Sequence, residues 1–315
     1  MKANAVRLAK RIARRIIGQP VFGRSILIYH RVAHADFDPW NIAVTPDEFE
    51  RQLIALRKKT VLPLQEFATL HSRRTLPKDA VAITFDDGYA CNALVAAPML
   101  ESFGYPATFF VVSDAIARGE EFWWDQLEFI FHASGFNSEK AKRLLDDYIA
   151  EDSRAKAQQD RTAHAAFFRL WDPLHRTSTE KRHQYLHALR SQISLKLQAR
   201  PTHRPMTSTE LRSLAENPLF EIGGHTATHP SLPTLTRAQQ EHEIVSGAQF
   251  LAATIGKSIR SFSYPFGEWE GPTRDIVMAA GFDCALTTGH RRVRSTDSSF
   301  ALPRRQAVNR NAPIY

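Results

Sequence analysis

Cysteine is scarce in this chain. Only Cys91 and Cys284 are present, too few for a disulfide framework and without the spacing of a thiolate metal site. Both read as small buried apolar residues. No stretch approaches the roughly 20 apolar residues that a membrane-crossing helix requires. The first residues also lack the uninterrupted run of roughly 7 to 15 apolar residues of a secretory signal. Internal repeats and low-complexity segments are missing, which excludes solenoids and arrays. With 43% hydrophobic and 23% charged residues, the composition is that of a well-filled globular protein. Its 315 residues suit one large domain.

Acidic side chains are missing before Asp36, whereas eight basic residues precede it, and six of these (Lys2, Arg7, Lys10, Arg11, Arg14, Arg15) fall before Gly18. Much of the net charge of +8 therefore belongs to residues 1–24, a basic amphipathic leader. If residues 3–17 are helical, Leu8, Ile12 and Ile16 line one face, with Ala5 and Ala9 beside them. Two readings stay open: a solvated basic leader, or an interfacial helix on an anionic membrane. The expected location is cytoplasmic, with peripheral attachment to the inner membrane surface under the second reading. No nucleic-acid partner is expected, because no reading motif accompanies the charge.

From Ser25 onward, apolar runs at 26–29, 81–85, 107–112, 219–222, 259–264 and 282–286 alternate with amphipathic stretches at 47–58, 91–103, 236–255 and 271–280. Runs of this kind are strands buried on both faces, and βαβα order implies a parallel sheet, open or closed into a barrel. Residues 114–206 break the rhythm and read as a helical insertion. Its Trp123-Trp124 pair, with Leu127 and Ile130 at helical spacing, is either a packing face or a platform for sugar rings. Thr207 to Glu210 has the form of a capping box that starts a helix.

Two segments carry chemistry. Thr84-Phe85-Asp86-Asp87-Gly88 puts adjacent carboxylates at the carboxyl end of a strand, where parallel α/β folds place their active sites. A regular strand would point the two apart, but a turn at Gly88 lets both reach one pocket. An N-cap followed by a turn explains the same residues. His225-Thr226-Ala227-Thr228-His229 follows another strand, and histidines at i and i+4 share one face of a helical turn. With an Asp from a different strand end they form a two-His, one-carboxylate set that leaves coordination positions for water and substrate.

These segments, with Ser263-Tyr264-Pro265-Phe266-Gly267, resemble the polysaccharide deacetylase family, also known as the NodB homology or family 4 carbohydrate esterase group. The similarity runs from Ile26-Leu27-Ile28-Tyr29-His30-Arg31-Val32 to Leu302-Pro303-Arg304, leaving out most of the insertion. The resemblance implies an α/β fold, a distorted (β/α) barrel over residues 25–315 with a helical insertion at about 114–206. It implies Asp86 as general base, Asp87, His225 and His229 as ligands of a divalent metal, and Phe266, after Tyr264 and Pro265, as the backbone oxyanion donor. Zinc is the first expectation, and Co, Ni or Mn suit the same ligands. The implied reaction is removal of N-acetyl groups from amino sugars of a polysaccharide or oligosaccharide, as in chitooligosaccharide deacetylases, with an N-acylated glycan as partner. The alternatives are a deformylase or deacetylase of a lipid-linked amino sugar and an inactive glycan-binding module.

The chain departs from the family pattern twice. Ser263 stands where many members have an Arg contacting the catalytic Asp, with Arg260 three residues earlier. The late Leu-x-His motif of the general acid is replaced by Ala301-Leu302-Pro303-Arg304. An amide nitrogen leaves poorly unless protonated, and imidazole titrates in the required range. His30, ending the apolar run Ile26–Tyr29, is the expected donor, and His290, in the segment after the run 282–286, is the second choice.

Overall fold

The computed structural model describes residues 23–133, 163–192 and 200–309. Its centre is a parallel sheet built from β1 (Ser25–Tyr29), β5 (Ala80–Phe85), β6 (Ala107–Val111), β7 (Phe220–Gly224), β8 (Ser261–Ser263) and β9 (Cys284–Thr287). Short β2 (Arg31–Val32) and β3 (Ala43–Val44) pair with each other, and β4 (Thr60–Val61) pairs with β5. β10 (Leu302–Pro303) lies beside β9, and β11 (Arg305–Gln306) lies beside β1, giving the order β10-β9-β8-β7-β6-β5-β1-β11. One segment, residues 302–306, thus touches both edges of the sheet and curls it into a nearly closed, distorted α/β barrel. Arg304 is the residue between the two edge strands.

Alternation along the strands separates two apolar sets. Leu27, Tyr29, Ile83, Phe85 and Phe109 pack outward against α1 (Pro46–Ala55) through Phe49 and Leu53, and against α3 (Ala97–Phe103) through Leu100. Tyr29, Phe85 and Phe109 form a stacked ladder across β1, β5 and β6, with ring centroids 5.2 and 4.9 Å apart. Each such fully buried ring stabilises the fold by roughly 1.5 to 3 kcal/mol. Ile26, Ala82, Phe110 and Leu286 form the other set, joined by Leu64 and Phe67 of α2 (Leu64–Ser72). Gly223 is required at the crossing of β6 and β7, because a Cβ there would strike the Phe110 ring.

The described residues between 113 and 192 are largely helical: α4 (Ser113–Arg118), α5 (Trp123–Ala133), α6 (Ala163–His175) and α7 (Thr179–Gln192). Trp123, Trp124, Leu127 and Ile130 are buried at helical spacing against Phe167, Leu170, Leu186 and Leu189, so the tryptophan pair is a packing face. Arg182 lies over the Trp123 ring at 4.6 Å and donates to the carbonyls of Leu174 and Thr177 at 3.0 and 2.8 Å, tying α6 to α7. The capping box at Thr207 is formed, with reciprocal bonds between Thr207 and Glu210 opening α8 (Ser208–Glu216). The long α9 (Arg237–Ile255) follows β7, and α10 (Gly271–Ala279) follows β8. Both cysteines are buried and unpaired. No helix among the described residues is long and apolar enough to cross a membrane. The leader expected over residues 1–24 falls almost wholly outside the described residues.

Candidate active site

The carboxyl ends of β1, β5, β7 and β8 converge on one buried cluster. Asp86 leaves β5 with its N–H bonded to the Tyr29 carbonyl at 2.9 Å, which keeps its side chain on the same face as Ala82 and Thr84. There Arg304 meets it as a fork: Nη1 donates to Oδ1 at 2.7 Å and Nη2 to Oδ2 at 2.6 Å. Ser263 Oγ donates to Oδ2 at 3.1 Å and accepts from Arg304 Nη2 at 2.8 Å. Arg304 is 0% and Asp86 3% exposed. Burial would raise the Asp86 pKa, but the charge of Arg304, then that of His225, the Arg304 hydrogen bonds and the charge of His30 together outweigh it and hold the carboxyl at about 2. Bidentate charge-assisted bonds of this kind are among the strong ones. Arg304 therefore supplies the guanidinium that the third motif lacks. Arg260 does not, since it pairs with Asp283 at 2.7 Å on the surface.

Asp87 turns away from β5 through a left-handed backbone (φ 74°), and that turn brings both carboxylates to one pocket. Its Oδ1 lies 3.5 Å from His225 Nε2 and 3.6 Å from His229 Nε2. The two Nε2 atoms are 3.1 Å apart. His225 Nδ1 donates to the Ser263 carbonyl at 2.7 Å, so the lone pair of the neutral ring is on Nε2, facing Asp87. The segment 225–229 is not the helical turn expected from i, i+4 spacing. Thr226 and His229 have φ of 65° and 56°, and the loop is shaped by tertiary hydrogen bonds that override the local pattern. Burial lowers the pKa of His229 well below the ordinary value, and the neighbouring His225 and Arg182 add to this. A neutral His229 is in the form that binds a cation. One carboxylate oxygen and two imidazole nitrogens, all within 4.8 Å of one another, suit a divalent cation of the zinc type. A second buried group, the two carboxylates Asp125 and Glu128 with the single imidazole of His203, is crossed by Arg31 and Arg200, whose charges oppose a cation.

His30 follows β1 on the same face as Ile26 and Ile28. Its carbonyl accepts from Asn92 at 2.7 Å, and its buried Nδ1 has no partner among the described residues. Burial lowers its pKa while Asp87 and Asp86 oppose the shift, so the ring is in the field of both carboxylates. His290 is exposed, with φ of 46°. In the third motif, Tyr264 is buried and donates to the Phe300 carbonyl at 3.0 Å, which directs its hydroxyl to the scaffold. Pro265 opens a tight turn in which Phe266 has φ of 58°, and the Phe266 ring packs on His229 at 4.5 Å. Helix α5 closes this side: Trp124 lies 4.7 Å from the His229 ring, with its indole N–H on Tyr89 Oη at 2.9 Å and that hydroxyl on Asp125 at 2.7 Å.

Arg304 escaped sequence reasoning as a site component, and Trp124, read there as part of a packing face or a sugar platform, was not foreseen against the His229 ring. Arg304 stands beside Arg305 in a short segment without a periodic pattern.

The family model described as "Polysaccharide deacetylase" matches residues 73–146 and 160–285. A Bacillus subtilis (strain 168) protein named as a polysaccharide deacetylase, YxkH, is 28% identical over 106 residues, which span 33% of this chain and 37% of that protein. Among solved structures, the Streptococcus pyogenes deacetylase PplD in complex with acetate superposes with a TM-score of 0.59 at 17% identity, covering 94% of this chain and 96% of that one. IcaB from Ammonifex degensii gives 0.59 at 19% identity, covering 91% and 92%. A de-N-acetylase from Aggregatibacter actinomycetemcomitans gives 0.58 at 16%, covering 92% and 96%. At these identities the structures establish a shared fold.

Proposed function

The chain belongs to the polysaccharide deacetylase family, and we propose that it is a divalent-metal-dependent hydrolase that removes N-acetyl groups from amino sugars of a polysaccharide or oligosaccharide. The observation that carries this reading is the separation of two buried carboxylates into different environments. Asp86 is gripped by Arg304 with one imidazole nitrogen, His225 Nε2, at 3.7 Å, whereas Asp87 faces two, at 3.5 and 3.6 Å, and no guanidinium pairs with it among the described residues. Adjacent residues are thereby suited to different tasks.

In this reading residues 25–315 form one catalytic barrel with the segment at about 114–206 inserted. Asp87, His225 and His229 hold the metal, zinc first. When bound, the cation polarises the amide carbonyl and lowers the pKa of water toward about 7. Asp86 then accepts the proton of the attacking water. A carboxylate held at about 2 is a weak base, so Arg304 secures its ionised form and orientation at the expense of basicity. The Phe266 N–H donates to the developing oxyanion, a contribution of about 2.7 to 4 kcal/mol for such a donor. His30 delivers a proton to the departing nitrogen.

Incubation with N-acetylated amino-sugar oligomers, read by mass spectrometry, tests the reading. The expected product has lost one acetyl group per turnover, with acetate released and a chelator abolishing the reaction. Unchanged oligomers in the presence of added zinc, cobalt, nickel or manganese would count against it.

A further inference from the structure

The loop carrying His225 and His229 has a backbone shape that its residues do not favour by themselves. Thr226 and His229 sit at φ of 65° and 56°, in the left-handed region that non-glycine residues occupy when the surroundings over-determine them. One bond inside the loop helps: Thr226 Oγ1 accepts the His229 N–H at 3.0 Å. From one side, the N–H groups of Ser113 and Asp114 donate to the carbonyls of Thr226 and Ala227 at 3.3 and 3.0 Å.

The other side is held by α9. Glu243 Oε2 accepts the N–H groups of Ala227 and Thr228 at 3.1 and 2.9 Å, and Oε1 accepts Thr228 Oγ1 at 2.7 Å. The Ala227 N–H is shared with the Glu243 carbonyl at 3.0 Å. An ionised carboxylate is acceptor-only, so it can take two backbone donors and a hydroxyl together, whereas an amide carries donors of its own. One turn further along α9, Gly247 lies against the same loop. A Cβ there would come within 2.7 Å of the Thr226 carbonyl carbon and 2.9 Å of the Ala227 nitrogen. Helix and loop thus meet backbone to backbone at the point where Glu243 reaches across. In the sequence, His242-Glu243-Ile244 reads as an ordinary turn of a surface helix.

We propose that Glu243, with the clearance left by Gly247, is the positioning residue of the two-histidine loop, fixing residues 226–228 so that His225 and His229 present their Nε2 atoms to one cation. The inference rests on the assignment of those histidines as metal ligands. Its consequence is that metal affinity depends on a carboxylate that touches neither imidazole. Groups that orient metal ligands from behind usually account for about 10- to 100-fold in affinity.

The test is calorimetric titration of zinc into metal-free, tag-free full-length protein, with thermal unfolding of the metal-free forms alongside. Glu243→Gln keeps the side-chain shape but places an amide against backbone donors. Gly247→Ala changes no charge and pushes the loop away from α9. Glu241→Gln, on the exposed side of the same helix, is the control. Both Glu243→Gln and Gly247→Ala are expected to weaken zinc binding by about 10- to 100-fold, with Glu241→Gln like wild type. Wild-type affinity in both variants, even with lower melting temperatures, would reduce Glu243 to a support of the fold and overturn the proposal. A wild-type protein that takes up no zinc would overturn the ligand assignment itself and the proposal with it.

Discussion

Arg304 holds both carboxylate oxygens of Asp86, at 2.7 and 2.6 Å, across 218 residues of sequence. The contact is made where β10 and β11 close the barrel, so closure and preparation of the proposed base are one structural event. Arg304→Met should therefore affect both. Removing one partner of a buried ion pair destabilises by about 3 to 5 kcal/mol, to be read from chemical denaturation at neutral pH. In the folded variant, burial acts on Asp86 without its counter-charge, and the acidic limb of the rate profile should move to higher pH. An unmoved limb would separate Arg304 from the tuning of Asp86.

The same pair has a signature in the pH dependence of stability. The Asp86 pKa is depressed in the folded state to about 2, from an ordinary value of 3.8. Its contribution is therefore fully present above the unfolded value and is lost as pH falls through the folded one, between about pH 4 and pH 2. Asp86→Asn should be destabilised at neutral pH, and its deficit relative to wild type should shrink across that interval. Urea denaturation at several pH values measures it, and a constant deficit down to pH 2 would contradict the assignment.

His30→Ala should retain nearly wild-type metal content while turnover falls by about 10² to 10⁴, the usual contribution of general acid–base catalysis. Full activity in the folded variant would remove His30 from the reaction and turn attention to His290.

Packing at the β6–β7 crossing gives a test of the barrel alone. Gly223→Ala drives a methyl group into the Phe110 ring and should lower stability by about 1 to 3 kcal/mol, the range for overpacking a filled core. Gly271→Ala, where a Cβ meets nothing within 4 Å, should be close to neutral. Equal stabilities would contradict the described packing.

The long buried strands and their helices were legible because apolar runs such as 81–85 are bounded and alternate with helical periodicity. Asp86, Asp87, His225 and His229 were legible as a group because motifs at strand ends share one rim in a parallel barrel. The closing strands were not, since β10 and β11 have two residues each, too short for any period to register. Arg304 was missed for the same reason, its partner being distant in sequence. The shape of 225–229 was misread as a helical turn because i, i+4 spacing is a local signal, and the bonds from Ser113, Asp114 and Glu243 that set the loop are not local.

The division of labour between neighbouring carboxylates is tested most directly by metal analysis of four purified variants, with turnover measured on the same samples. Asp87→Ala, His225→Ala and His229→Ala are each expected to lose bound metal. Asp86→Asn is expected to keep it and lose turnover, because its side chain faces Arg304 and Ser263 as proposed base. Loss of metal from Asp86→Asn with retention in Asp87→Ala would exchange the two roles and contradict the account.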